Sequence, residues 1–325
     1  MKKLVLILLF LFLICSFLPL SVTANQAKYS GKIGVSLPTA THGYLGRINW
    51  WAKKAIEDWK EKSPDVEFVI VTAESVTKQA ADIEDLMIQE IDSLVVFPFD
   101  ASLTPIIEKV HNEGVFVVVI SRGTTKPVYD VYISNDDATY ARTGMEWVCK
   151  ELDYNGKVVI IEGIPTQINT IRVDTINAIA DQYPGIEILD SQPGEWNQQK
   201  ALSVMENYLQ KYPHIDAVYT ADDDMLKGAL RAYQESGRND IKVFLGGAAM
   251  KDMLERIING DSLVKANVSF PPDVMATAVS LGVLGHNEVT LEGFYQQKLP
   301  IRIILSSEII TAENVDRFYH PDEMN

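Results

Sequence analysis

Residues 31–60, GKIGVSLPTATHGYLGRINWWAKKAIEDWK, constrain the fold more than any other stretch of the chain. A short apolar run, 33–37, lies between Gly31 and Pro38. A loop of small residues follows, and then Leu45, Ile48, Trp51, Ala52, Ala55, Ile56 and Trp59 recur at helical spacing. A buried strand that feeds an amphipathic helix is the first half of a βαβ unit. The connecting loop then sits at the carboxyl end of a strand, where open α/β sheets bind ligands. His42 and Tyr44 lie in or beside that loop.

The same alternation continues down the chain. Strands are expected at 66–71, 93–97, 115–120, 131–134, 157–161, 186–189, 217–220, 242–245, 264–269 and 301–305, with helical patterns between most of them. The run 115–120 is apolar throughout, as a parallel strand buried on both faces should be. Asn135, Asp136 and Asp137 read as the start of a helix, because their side-chain oxygens can accept the free amides of its first turn. A helix is expected to open at Gly246 and close at Gly260, and a short polar tail to follow the last strand. No Gly/Ser tether divides the chain. The expectation is α/β: two successive halves, each a parallel sheet with helices on both faces.

The first 24 residues stand outside that pattern. Lys2 and Lys3 precede an apolar run, and Val22, Thr23 and Ala24 offer small residues for cleavage, which reads as a secretory signal peptide. Ile14 before Cys15 does not suit lipid attachment. Export without a lipid anchor points to the periplasm. The mature chain would keep one cysteine, Cys149, so no internal disulfide is expected. The formal net charge of −15 argues against nucleic acid and anionic membranes as partners, since phosphates call for a basic surface.

No catalytic signature is present. The sequence lacks a GxSxG elbow, a P-loop, an HExxH motif and a GxGxxG turn after its first strand. The five histidines are scattered, and Asp222-Asp223-Asp224 lacks the glycine and terminal glutamate of a calcium loop. That triplet reads as a helix cap. No cofactor or metal is expected. What remains is a set of polar and aromatic residues at strand ends: Tyr44, Ser121, Arg122, Arg172, Trp196, Asp222 and Phe270. Arginine forks bind hydroxyls or carboxylates, and aromatic faces cover the C–H faces of a sugar.

Several segments together resemble the type I periplasmic sugar-binding proteins of the ribose-binding kind. They are IGVSL near the start, VVISR ending at Arg122, Glu162-Gly163 with Arg172, QPGEW ending at Trp196, and AVYTADDDMLKGALRA from Ala217. The resemblance covers nearly all of the mature chain. It implies two Rossmann-like lobes joined by three strand crossings, near Ser134, Phe270 and Arg302. Residues 25–134 with 271–302 would form one lobe, and 135–270 with 303–325 the other. It also implies a site of His42, Tyr44, Ser121, Arg122, Arg172, Trp196, Asp222, Ala248 and Phe270. Against the ribose binders, His42 stands for an asparagine, Leu45 for an aromatic residue, Ser121 for a carboxylate, and Trp196 for phenylalanine. Asp222 stands for asparagine, Ala248 for aspartate and Phe270 for glutamine. Both arginines are kept. The changes imply a small sugar or polyol other than ribose. The implied role is a monomeric binding protein, not an enzyme, that serves an ABC permease in the inner membrane; the alternative is a partner chemoreceptor or sensor kinase.

Overall fold

The computed structural model describes residues 29–288 and 301–323. The expected signal peptide lies outside them. Among the described residues no helix is long and apolar enough to cross a membrane.

The chain alternates strand and helix as its apolar periods dictate. It begins with β1 (Gly31–Pro38), α1 (Gly43–Lys62), β2 (Val66–Ala73), α2 (Val76–Ile88), β3 (Ser93–Val96), α3 (Thr104–Asn112), β4 (Phe116–Ile120) and β5 (Val131–Asn135). These strands and β11 (Arg302–Leu305) form one parallel sheet in the order β11-β5-β4-β3-β1-β2. The central strands are apolar runs because both faces are covered: Val35, Val95, Val118 and Val119 are fully buried. The chain then builds α4 (Asp137–Glu151), β6 (Gly156–Glu162), α5 (Gln167–Ala180), β7 (Ile186–Pro193), α6 (Gln198–Lys211), β8 (Ala217–Thr220), α7 (Asp223–Ser236), β9 (Val243–Gly247), α8 (Lys251–Ile258) and β10 (Asn267–Val268). Their strands form a second sheet, ordered β12-β10-β9-β8-β6-β7, in which β12 (Ile309–Ile310) runs antiparallel to β10. The two sheets are the cores of two α/β lobes.

Helix starts follow local chemistry. Ser75, Asp136, Thr166, Asn197 and Asp222 each accept an amide hydrogen bond from the first turn of the helix they precede. At Gly247 the backbone passes so close to Tyr140 that a β-carbon would lie 1.7 Å from the phenol oxygen, so only glycine fits.

Three passages join the lobes. The first follows β5, and the second runs through Phe270 to α9 (Val274–His286), which packs on the first sheet. The third lies between Leu305 and Ile309, not at Arg302, because β11 pairs with β5 along its whole length. Residues 303–305 therefore belong with the first sheet. Other sequence expectations also shift. Only Asn267–Val268 of the expected strand 264–269 is paired. Gly246 and Gly247 end β9, and the helix begins at Lys251.

The tail is not merely polar. Ile310 and Val315 are buried in the second lobe's core. Tyr319 and Pro321 bond to Glu255 and Lys251 on α8. Glu323 then reaches the first lobe, where its carboxylate meets Arg47 at 2.8 Å and Trp51 Nε1 at 2.6 Å.

Candidate functional site

The carboxyl ends of both sheets face one another across a cavity of about 50 Å3. From the first lobe, His42, Tyr44 and Leu45 come after β1, Phe97 after β3, and Ser121 with Arg122 after β4. From the second lobe, Arg172 and Ile168 come from α5, Trp196 follows β7, and Ala221 with Asp222 follows β8. Ala248 follows β9, Phe270 follows β10, and Tyr140 projects from α4. All nine residues singled out from the sequence line this one space. Leu45, Phe97, Tyr140, Ile168 and Ala221 were not among them. Phe97 and Ala221 sit at strand ends, a signal that could have found them. Tyr140 and Ile168 lie within helical patterns and carry no such mark.

The backbone is held under strain around this space. Nine described residues other than glycine have positive φ, and five of them adjoin the cavity: Ser121, Glu195, Trp196, Ala248 and Ala249, at +52° to +82°. Such angles are uncommon for residues with a β-carbon and gather at functional sites.

His42 occupies the N-cap of α1 without bonding its amides. Both of its ring nitrogens are buried with no partner, and the Tyr44 hydroxyl lies buried beside the Asn135 side chain. Burial, aided by Arg122 and only partly opposed by Asp224, pulls the imidazole down to about 4, so it is neutral near pH 7. Arg122 donates to the Phe99 carbonyl at 2.6 Å and lies 5.5 Å from the centre of the Phe97 ring. Burial lowers its pKa, against the pull of Asp100 and Tyr44. Among the described residues no carboxylate comes within 4.0 Å of it as an ion pair.

Arg172 is buried, not on the surface as an arginine in a helix ordinarily is. It bonds Asp137 Oδ1 through Nε at 2.8 Å and Nη2 at 2.7 Å, and donates to the Ala221 carbonyl at 3.1 Å. Its guanidinium stacks over Tyr140 and Phe270, at 4.2 and 4.6 Å from the ring centres. Burial works against its charge, but Asp137 outweighs that and raises its pKa. Ala248 takes part through its backbone: its carbonyl accepts from Arg47 at 2.5 Å.

The acidic triplet divides its work. Asp222 caps α7 by accepting from Met225 N–H at 2.8 Å, and it lines the cavity as well. Asp223 is fully buried, accepting from Met250 N–H and the Asn267 amide. Asp224 crosses between the lobes and accepts from Gly43 N–H at 2.8 Å. A β-carbon on Gly43 would lie 2.8 Å from that carboxylate, so the small residue lets the lobes meet. Among the described residues no cluster of His, Cys, Asp or Glu could hold a metal ion.

Burial lifts Asp222 from its ordinary 3.8 to about 7, with Asp224 adding to the rise and the Met225 amide opposing it. Between those values the folded chain holds a proton that the unfolded chain has released. The contribution to stability is full below about pH 4 and is lost as pH rises through about 7. Asp222→Asn keeps the cap and removes the titration. Thermal melts from pH 4 to 8 should therefore fall less steeply with pH for the variant than for the parent; parallel profiles would contradict the assignment.

The likeness to known proteins agrees with this geometry. Residues 33–283 match the family described as the periplasmic binding protein domain. The ribose import binding protein RbsB of Bacillus subtilis (strain 168) is 31% identical over 287 residues, covering 85% of this chain and 90% of that protein. The structure of an ABC transporter solute binding protein from Bacillus halodurans C-125, with bound myo-inositol, superposes with a TM-score of 0.76 at 23% identity. That match covers 90% of this chain and 98% of the other. The fructose binding periplasmic domain of a hybrid two component system gives 0.73 at 21% identity, covering 88% and 92%. Family match, ribose-binder identity and fold agree that this chain belongs to the periplasmic binding proteins, as a type I sugar-binding protein.

Proposed function

We propose that the chain captures one small sugar or polyol between its lobes and delivers it to an ABC importer in the inner membrane. It does so as a periplasmic monomer and without chemistry on the ligand. The observation that carries this reading is one cavity lined by polar and aromatic residues from both lobes: His42, Tyr44 and Arg122 come from one, and Arg172, Asp222 and Trp196 from the other. Such a mixture of charged, hydrogen-bonding and aromatic side chains suits a small hydroxylated ligand. Only the closed form offers both halves of the contact, so ligand shifts the lobes toward closure about the three passages. The nine sequence-derived residues are the ligand contacts, and the permease recognises the closed form.

The kinship to the fructose binding domain of a two component system favours a second reading, in which the closed form reports to a chemoreceptor or sensor kinase. Neighbouring genes separate the two: a permease and ATPase for import, a kinase for sensing. Calorimetry with a panel of sugars, polyols and sugar acids tests capture itself. One compound should bind saturably at one per chain and raise the melting temperature. Tight ribose binding would show that the changed cavity residues do not exclude ribose.

A further inference from the structure

The two lobes touch at a point that lies beside the cavity without lining it. Gly43 opens α1 of the first lobe, between His42 and Tyr44 of the cavity wall. Asp224 stands in the first turn of α7 in the second lobe, just after Asp222 of the opposite wall. Its carboxylate accepts the Gly43 N–H at 2.8 Å, and neither residue is part of the cavity lining. We propose that Gly43 and Asp224 are positioning residues for capture: their contact latches the lobes, so the closed form is populated before ligand arrives and ligand affinity follows the strength of the latch. For its effect on affinity the latch rests on the capture reading.

The contact is one that only closure can make. The first amides of a helix have no acceptor within it, and the His42 side chain bonds none of those of α1. Among the described residues, Gly43 N–H finds its acceptor only across the cleft. A carboxylate suits that place, because the amino end of a helix carries partial positive charge. The fit is as selective as the bond. A β-carbon on Gly43 would lie 2.7 Å from Met250 Cε and 2.8 Å from Asp224 Oδ2, both in the second lobe. Met250 has little room to give way, being buried with its N–H bonded to Asp223. Gly43 is not among the glycines with positive φ, so its smallness serves the approach of the lobes and not a turn. Opening breaks the bond and relieves the crowding at once. For a ligand that binds only the closed form, affinity scales with the closed fraction. The latch thereby acts on affinity without touching the ligand.

The test reads the ligand-free protein first. Nitroxide labels on Ser102→Cys and Gln167→Cys, exposed positions on opposite lobes, report the separation of the lobes by pulsed electron spin resonance, while buried Cys149 is shielded from the reagent. The ligand-free parent should show a population at the separation of the closed structure. Asp224→Ala removes a charge-assisted hydrogen bond and should lower the closed-to-open ratio by about 10–100-fold. Gly43→Ala should lower it too, although alanine suits a helix better than glycine, so opening is not confused with unfolding. Asp224→Asn, whose amide oxygen still accepts, should restore part of the closed population. Calorimetry with ribose, xylitol and myo-inositol should show affinity falling by the same factor as the closed fraction, which a merely structural role would not produce. A ligand-free parent with no closed population overturns the proposal, as do Asp224→Ala and Gly43→Ala variants that keep the parent's distribution. The expected shifts, with no sugar or polyol of the panel binding, would uphold the latch and sink the capture reading.

Discussion

Replacing Glu323 by alanine should destabilise the ligand-free protein by about 3–5 kcal/mol, the usual cost of leaving one member of a buried ion pair alone. Both side chains are 2% exposed. The Arg47 guanidinium has two acceptors in the structure, Glu323 and the Ala248 carbonyl, and its Nε is already buried without one. Without the carboxylate, the charge stays inside with only a backbone oxygen for company. Trp51 loses its acceptor as well. The effect should reach beyond stability, because this contact joins α1 of the first lobe to the tail and the 248 loop of the second. Urea unfolding of the single variant and of Arg47→Met/Glu323→Leu separates charge from packing. The double variant should recover most of the loss, since a well-packed apolar pair can replace a buried ion pair at little cost. A single variant within about 0.5 kcal/mol of the parent, the range of an ordinary surface change, would show that the pair is not buried in solution.

The second large effect falls on the cavity. Arg172→Leu should weaken capture by about 10–100-fold and also destabilise the chain by about 3–5 kcal/mol, because Asp137 then sits buried without its cation. Burial already raises Asp137 above the ordinary carboxylate range, even with Arg172 holding it down. The two consequences can be separated. Arg172→Leu/Asp137→Leu removes both charges and should regain much of the stability while keeping the weakened binding. A charged hydrogen bond contributes roughly 1.5–3 kcal/mol. The loss at this one residue should therefore reach about 10–100-fold in affinity, at about 1.4 kcal/mol per tenfold. Calorimetry on the double variant with the best ligand of the panel is the measurement. Unchanged affinity there would confine Arg172 to a structural part.

Much of the site was legible because of where a parallel strand ends. An apolar run such as 115–120 announces a buried strand, and the polar residues just past it, Ser121 and Arg122, can point only into the space beyond the sheet. The same logic holds after β1, β7 and β8. It fails for Tyr140, which enters the cavity from the side of a helix, and whose neighbour Gly247 is more than a hundred positions away in the chain. It also fails for Ala248. As a side chain it reads as a lost aspartate, yet its carbonyl holds Arg47. The tail was the least legible part. Ile309 and Ile310 are too short a run to announce a strand, and nothing local to Glu323 indicates burial.

The sequence alone determined the alternation of strand and helix, the two α/β halves and the strand-end loops that carry the binding chemistry. Those features depend on periodicity and on short-range capping, which act over a few residues. Tertiary structure decided how the ends of the two sheets meet, which leaves both His42 ring nitrogens buried without partners. It also decided that β11 stays with the first sheet and that Glu323 crosses to Arg47. These outcomes turn on burial and charge pairing between segments distant in the chain, and no local pattern records them.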